Sequence, residues 1–449
     1  MKIFQRLAIF TIFLAVLSGC EKVWDTSGYD PIPSNPSENP DDGGNDNPGP
    51  SDPSDPSDDQ TTTPGTPSIS PAYQITGGVI TRTVLNNYLS RAITESEYLS
   101  NRGSNSDGFW GTDDDQRMLL NVGAKFIGRA IYSWGKEDRF NSFIWLPNAK
   151  NKVDTYHQQD PDAIFQACVF EIVTTKINSV PIPEWVFTAF GKAPENRNFN
   201  YDSIKNLHGD GVNYWGINTC VPDMSREETQ MWFYYQIVRY MEIGCEAVHM
   251  GQVKLMSELS GGDYSHGYSG YKRLIDLVRQ AAKTKARRGI ILLDAHKRDG
   301  LIINGTQYLD FVSFPLRLRE NTNESATLGA SLAVNYLDSV IGKTAGMLYI
   351  LEFDNFGTSS HPGVANQGDH WVWGYDEITW FAKLPFANGC AFLDYAVDFL
   401  AKNDPNGHIQ MPGLRVVQLP NKTFRCNNKS ADCEDGYGYE DKIKQLWSK

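Results

Sequence analysis

The feature that most constrains this chain is an alternation that runs from residue 126 to residue 402. Short apolar runs recur there, and most are separated by stretches of helical periodicity. Runs that are apolar throughout suit strands buried on both faces, and strands separated by helices pair in parallel. The strand candidates are Phe126–Trp134, Ala163–Val173, Val212–Ile217, Ala247–Gln252, Gly289–His296, Phe311–Leu316, Gly346–Gly357 and Ile378–Ala382. Helical patterns include Met231 to Met241, Tyr271–Arg288, Leu328–Ile341 and Ala391–Lys402. The class is α/β, and the number and spacing of strands predict a (β/α)8 TIM barrel. A doubly wound sheet is the rival, but no Gly-x-Gly-x-x-Gly turn follows the first run. Ahead of the barrel, Val84, Leu85, Tyr88, Leu89, Ala92 and Ile93 fall at helical spacing behind Thr83, which predicts an N-terminal helical extension. Asp113, Asp114 and Asp115 open a further helix to Val122; they complement its dipole, with calcium binding as the alternative.

The chain ahead of these elements has a different character. Lys2 and Arg6 precede an apolar run, Leu7 to Leu17, that is too short to span a bilayer, so residues 1–19 read as a signal peptide. The run ends in Leu17-Ser18-Gly19-Cys20, which resembles the lipobox of bacterial lipoproteins. That resemblance implies cleavage before Cys20 and its acylation with palmitate-type chains. It also implies a place in the bacterial cell envelope, on the outer membrane with the domain periplasmic or surface-exposed, held by lipid without a spanning helix. Residues 20–72 read as a disordered tether. Eleven of the 23 prolines lie between Pro31 and Pro71, among Asp, Ser, Gly and Thr, and nothing there can bury a core. The tether carries eight acids and no base between Ile32 and Pro71, which accounts for most of the net charge of −13. Residues 73–449 are then a mildly acidic barrel domain without a basic patch, which argues against nucleic acid as a partner.

Cys168 and Cys245 sit in strand-like runs and read as core, whereas Cys426 and Cys433 flank a polar hexapeptide and are candidates for a disulfide. There is no Cys-x-x-Cys pair. No metal and no cofactor is expected.

The chemistry collects where strands end. Side chains alternate along a strand, so Ile350, Glu352 and Asp354 share one face of the seventh run. Carboxylates there are costly to desolvate unless partnered, and the C-terminal ends of barrel strands are where active sites are built. Trp134, Glu171, Trp215, His249, Gln252, Asp294, His296 and Trp380 fall at the ends of other runs, and Arg129 is an interior charge that can pair with a carboxylate. Before the eighth run stands His370-Trp-Val-Trp373-Gly-Tyr-Asp-Glu377. Flat aromatic faces beside carboxylates suit sugar rings, and carboxylate pairs hydrolyse glycosides. On this reading Asp354 is the nucleophile or base, and Glu171, between Phe170 and Ile172, is the better acid. Glu352 pairs with Arg129 or positions a partner, and Asp294 is a further catalytic candidate. Trp134, Trp215, His249, Gln252, His296, Trp373 and Trp380 line the substrate site.

From about residue 118 to residue 413 the chain resembles a family of largely uncharacterised bacterial (β/α)8-barrel proteins related to glycoside hydrolases. The resemblance rests on Ala124-Lys-Phe-Ile-Gly-Arg-Ala130, Phe170-Glu-Ile-Val173, Met231-Trp-Phe-Tyr-Tyr235, His249-Met-Gly-Gln252, the His370–Glu377 loop and Asp404-Pro-Asn-Gly407. It implies a barrel and no particular catalytic residue. The large retaining clan of such barrels places its acid on strand four, usually after Asn, and its nucleophile on strand seven. Here strand four offers His249 and Gln252, with Glu258 further along, so Glu171 or Asp294 becomes the partner of the strand-seven acids. Three functions compete: a lipid-anchored glycan hydrolase acting on oligo- or polysaccharide, a non-catalytic surface glycan-binding lipoprotein, and a metal-dependent hydrolase using His249, Asp294, His296 and Asp354.

Overall fold

A computed structural model describes residues 68–101, 110–297, 299–313, 346–354, 377–417, 419–420 and 422–449. The signal, Cys20, nearly all of the tether, the Leu328–Ile341 helix and the loop carrying Trp373 lie outside the described residues. The compact unit begins at Ser68, so Ser68–Ala72, assigned by composition to the tether, belongs to it. The backbone N–H of Ser70 donates to Asp162 at 2.8 Å.

Eight parallel strands form the barrel: β1 Ala92–Glu95, β2 Phe126–Tyr132, β3 Ile164–Cys168, β4 Ala247–His249, β5 Leu292–Asp294, β6 Val312–Ser313, β7 Tyr349–Glu352 and β8 Gly407–Val416. Each pairs with its sequence neighbour except β5 with β6, and β8 pairs with β1. Between β5 and β6 the ladder is replaced by single bonds. Asp310 N–H donates to the Leu293 carbonyl at 2.8 Å, and Ser313 N–H donates to that of Ala295 at 3.2 Å. The fold is a nearly closed (β/α)8 barrel.

The longer helices among the described residues are α1 Arg82–Leu89, α2 Asp113–Val122, α3 Trp145–His157, α4 Glu227–Glu242, α5 Ser269–Lys285, α6 Glu377–Lys383, α7 Phe386–Asn403 and α8 Glu440–Leu446. The acids that open α2 work as capping groups: the Thr112 hydroxyl accepts from Asp115 N–H while Asp115 accepts from Thr112 N–H. Glu228, in the first turn of α4, binds Arg197 at 2.7 Å.

Three expectations are corrected. Ala92 and Ile93 continue the helical spacing of α1, but the helix stops at Leu89 and they open β1. Val212–Ile217 is loop, with Ile217 exposed. Ile378–Ala382 lies in α6, where Ile378, Trp380 and Phe381 pack inward, and the last strand comes later, at Gly407. A short apolar run has no periodicity long enough to separate strand from buried helix.

The interior is layered. At the N-terminal end, Val84, Leu85, Tyr88 and Leu89 of α1 pack with Ala92, Phe126, Ile164, Ala247, Leu292, Phe311, Leu348 and Ile350, so α1 plugs that end. Glu246, just before β4, fixes the plug: it binds Arg287 at 2.7 Å and Arg288 at 2.8 Å, and Arg288 also donates to the Tyr88 hydroxyl at 2.7 Å. Above the apolar layer the lumen turns polar. A Cβ on Gly128 would lie 1.8 Å from Gln410 Nε2 and 3.2 Å from Gln166 Oε1, so the absence of a side chain leaves room for both amides there.

Candidate functional site at the barrel mouth

One backbone irregularity shapes the mouth. The register of β2 against β3 slips between Ile127 and Ile131, and Arg129 takes a φ of 54°. A bulge of this kind re-aims a side chain, and positive φ in a non-glycine residue persists only where contacts hold it. The contacts are acidic. Arg129 Nε lies 2.5 Å from Glu352 Oε1, and Nη2 lies 3.7 Å from Asp354 Oδ1. Arg415 of β8 binds the same two groups, at 3.2 Å and 2.8 Å, and donates to Ser96 Oγ at 3.1 Å. Burial opposes the charge on Arg129, but Glu352 and Asp354 outweigh it and hold the guanidinium firmly protonated.

A second group forms on β3 to β6. His249 Nδ1 lies 2.7 Å from Asp294 Oδ2, Gln166 Nε2 donates to Oδ1 at 2.7 Å, and the Ser313 hydroxyl donates to Oδ2. His296 links the two groups: its ring sits 4.4 Å from that of His249, and its Nε2 lies 3.3 Å from Arg129 Nη2. Glu171 stands beside them, its carboxylate taking the backbone N–H of Gln252 at 3.0 Å and the side-chain amide at 2.8 Å.

An aromatic wall flanks the polar groups. Phe170 meets Trp134 with ring centres 5.3 Å apart, Trp134 meets Trp215 at 5.3 Å, and Trp215 meets Tyr214 at 4.7 Å. Trp215 comes from a loop rather than a strand, and its indole N–H donates to the Glu171 carbonyl at 2.9 Å. The guanidinium of Arg129 lies over the Phe170 ring at 5.6 Å.

The structure therefore brings together Trp134, Glu171, Trp215, His249, Gln252, Asp294, His296, Glu352 and Asp354 through a connected set of contacts. It does not bring Trp380, which sits on α6 against Phe392 at 4.8 Å and is 1% exposed. Asp354 is 5% exposed and held by Arg415. Gln166, Ser313, Gln410 and Arg415 were not anticipated. The first two sit within or next to recognised strands but attract no notice as single polar residues, and the last two lie on the unrecognised β8.

Among the described residues no group of three or more His, Cys, Asp or Glu is arranged to hold a metal ion. Cys168 and Cys245 are buried thiols, and Cys426 and Cys433 are unpaired; Cys426 Sγ lies 3.5 Å from Met118 Sδ.

No protein-family model matches the chain. No curated protein matches it either. Solved structures do, at low identity. A broad-specificity endoglucanase (GH5-4) from Ruminococcus flavefaciens is 10% identical over 85% of this chain and 98% of its own, with a TM-score of 0.44. The endo-β-mannanase/endo-β-glucanase PbGH26A-GH5A of Prevotella bryantii is 10% identical over 81% of this chain and 50% of its own, with a TM-score of 0.44. The cellulose synthase subunit Z of Clostridioides difficile is 11% identical over 80% of this chain and all of its own, with a TM-score of 0.39.

Proposed function

We propose that the barrel mouth is the site of a glycan-directed hydrolase held to the cell envelope by lipid on Cys20. The observation that carries the reading is the convergence of Glu352, Asp354, Glu171 and Asp294 beside the Trp134–Phe170–Trp215 wall. Sugar rings stack on such faces, and carboxylates take their hydroxyls or handle the protons of glycoside cleavage. Asp354 is the nucleophile or base, Glu171 the acid, and Glu352, gripped by Arg129, positions its neighbour. Release of reducing sugar from a panel of polysaccharides and oligosaccharides tests this; no release from any, with normal folding, rejects hydrolysis.

One observation favours a second reading, a non-catalytic glycan-binding lipoprotein: all four carboxylates already have protein partners. Retention of the protein on a polysaccharide column without product release identifies that outcome. For the anchor, Cys20→Ala releases the protein from membrane fractions; a variant that still pellets after a salt wash rejects the lipoprotein reading.

A further inference from the structure

We infer that His249 is a ligand-facing hydrogen-bond acceptor, held in its Nδ1–H tautomer by Asp294 and offering Nε2 to a hydroxyl group bound at the mouth. Asp294 is fully buried at the end of β5, and its carboxylate takes three donors: Gln166 Nε2, Ser313 Oγ and His249 Nδ1. The orientation of Gln166 is fixed independently, because its Oε1 accepts the backbone N–H of Arg129 at 3.1 Å. Its amide nitrogen is therefore the end that faces Asp294. A carboxylate cannot donate, so the proton of the His249–Asp294 bond sits on Nδ1. In the neutral ring Nε2 is then a bare acceptor.

That Nε2 is buried and has no hydrogen-bond partner among the described residues. Leaving a buried acceptor unpaired costs its desolvation with nothing to offset it. Native proteins leave few such groups, and one aimed into a polar site is accounted for by a ligand or a water. The groups facing His249 are Asp294, the His296 ring, Phe170, Arg129 beyond His296, and Cys168 opposite it in register on β3. Burial pushes the Cys168 thiol well up, so it stays neutral. With a guanidinium close by, a cation at Nε2 is disfavoured and a neutral O–H donor fits. The choice of a sugar hydroxyl over water rests on the glycan reading above; the acceptor role does not.

The test uses the intact protein labelled with nitrogen-15 histidine. Long-range proton–nitrogen correlations are expected to show neutral His249 with its proton on Nδ1. An Nε2–H tautomer overturns the inference. Asp294→Asn is expected to reverse the tautomer, since its amide donates to Nδ1. Should that variant fail to fold, Ser313→Ala removes one donor and is expected to keep the Nδ1–H pattern; loss of the pattern there counts against the inference. Titration with cellobiose, mannobiose and xylobiose, and with glycerol as a plain hydroxyl donor, is expected to move the Nε2 resonance. A response to glycerol alone supports the acceptor while rejecting the glycan reading. No response to any of the four overturns the acceptor.

Discussion

Arg129 on β2 reaches across the barrel mouth to Glu352 on β7, Nε to Oε1 2.5 Å, and the same guanidinium touches His296 beyond β5. Strands that share no ladder are joined this way. Removing one partner of a buried ion pair leaves a charge stranded, typically at about 3–5 kcal/mol. Arg415 remains beside Glu352 at 3.2 Å, so Arg129→Met is expected at the lower end of that range. Adding Glu352→Gln should recover part of the loss. A urea-unfolding double-mutant cycle measures this, and strict additivity would deny the coupling.

A buried acid also governs the other end of the barrel. Burial pushes the Glu246 carboxyl up, but Arg288 and Arg287 outweigh it and hold it below the usual range. With its folded value below the unfolded one, its stabilisation is present above the unfolded value of 4.5 and is lost as pH falls. Glu246→Gln is expected to cost about 3–5 kcal/mol at neutral pH, with a smaller difference from wild type in acid. Equal melting temperatures at neutral pH would contradict this.

Glu137 has the opposite sign. Burial raises its carboxyl to about 7, despite the bonds it accepts from Thr174 N–H and Oγ1. A folded value above the unfolded one gives stability that is complete below pH 4.5 and is lost as pH rises through about 7. Glu137→Gln can keep both Thr174 contacts and is expected to gain up to about 3 kcal/mol relative to wild type at pH 8. The gain should vanish near pH 4; denaturant midpoints across that range check it.

His408 is lowered to about 4 by burial, and its Nε2 lies 2.9 Å from Asn86 Oδ1. His157 is lowered to about 4 by burial and by Arg287. Each adds stability that is present above pH 6.5 and lost as pH falls toward 4. His408→Asn should flatten the acid side of the stability curve; an unchanged slope between pH 6.5 and 4 would show that this group does not matter.

The site variants separate chemistry from binding. Asp354→Asn and Glu171→Gln are expected to lower turnover by orders of magnitude on any glycan that the wild type cleaves, while Trp215→Ala chiefly raises KM. Near-normal turnover in Asp354→Asn would send the search for the base to Asp294 or Glu258.

The barrel was legible in the sequence because its buried strands are apolar for most of their length. Phe126 to Ile131, Ala247 to Val248 and Met347 to Leu351 carry that signal by themselves. The alternation of side chains also placed Glu352 and Asp354 on one face, which the shared contacts of Arg129 and Arg415 bear out. Two strands were hidden for physical reasons. β1 is four residues long and its apolar positions continue the spacing of α1. β8 carries His408, Gln410, Gly413 and Arg415, since its inward face fills a polar lumen, so its apolar signature is broken. The count of eight survived because the runs at Val212 and Ile378 stood in for them.

Only the tertiary structure decided which charge meets which. A carboxylate at a strand end announces that a partner is needed, not which one. Arg415 reaches Asp354 only because β8 lies beside β7. Asp294 receives His249, Gln166 and Ser313 because closure of the barrel sets β3, β4 and β6 around β5. Those contacts span long loops, and local periodicity does not encode which residues a closed sheet will bring face to face.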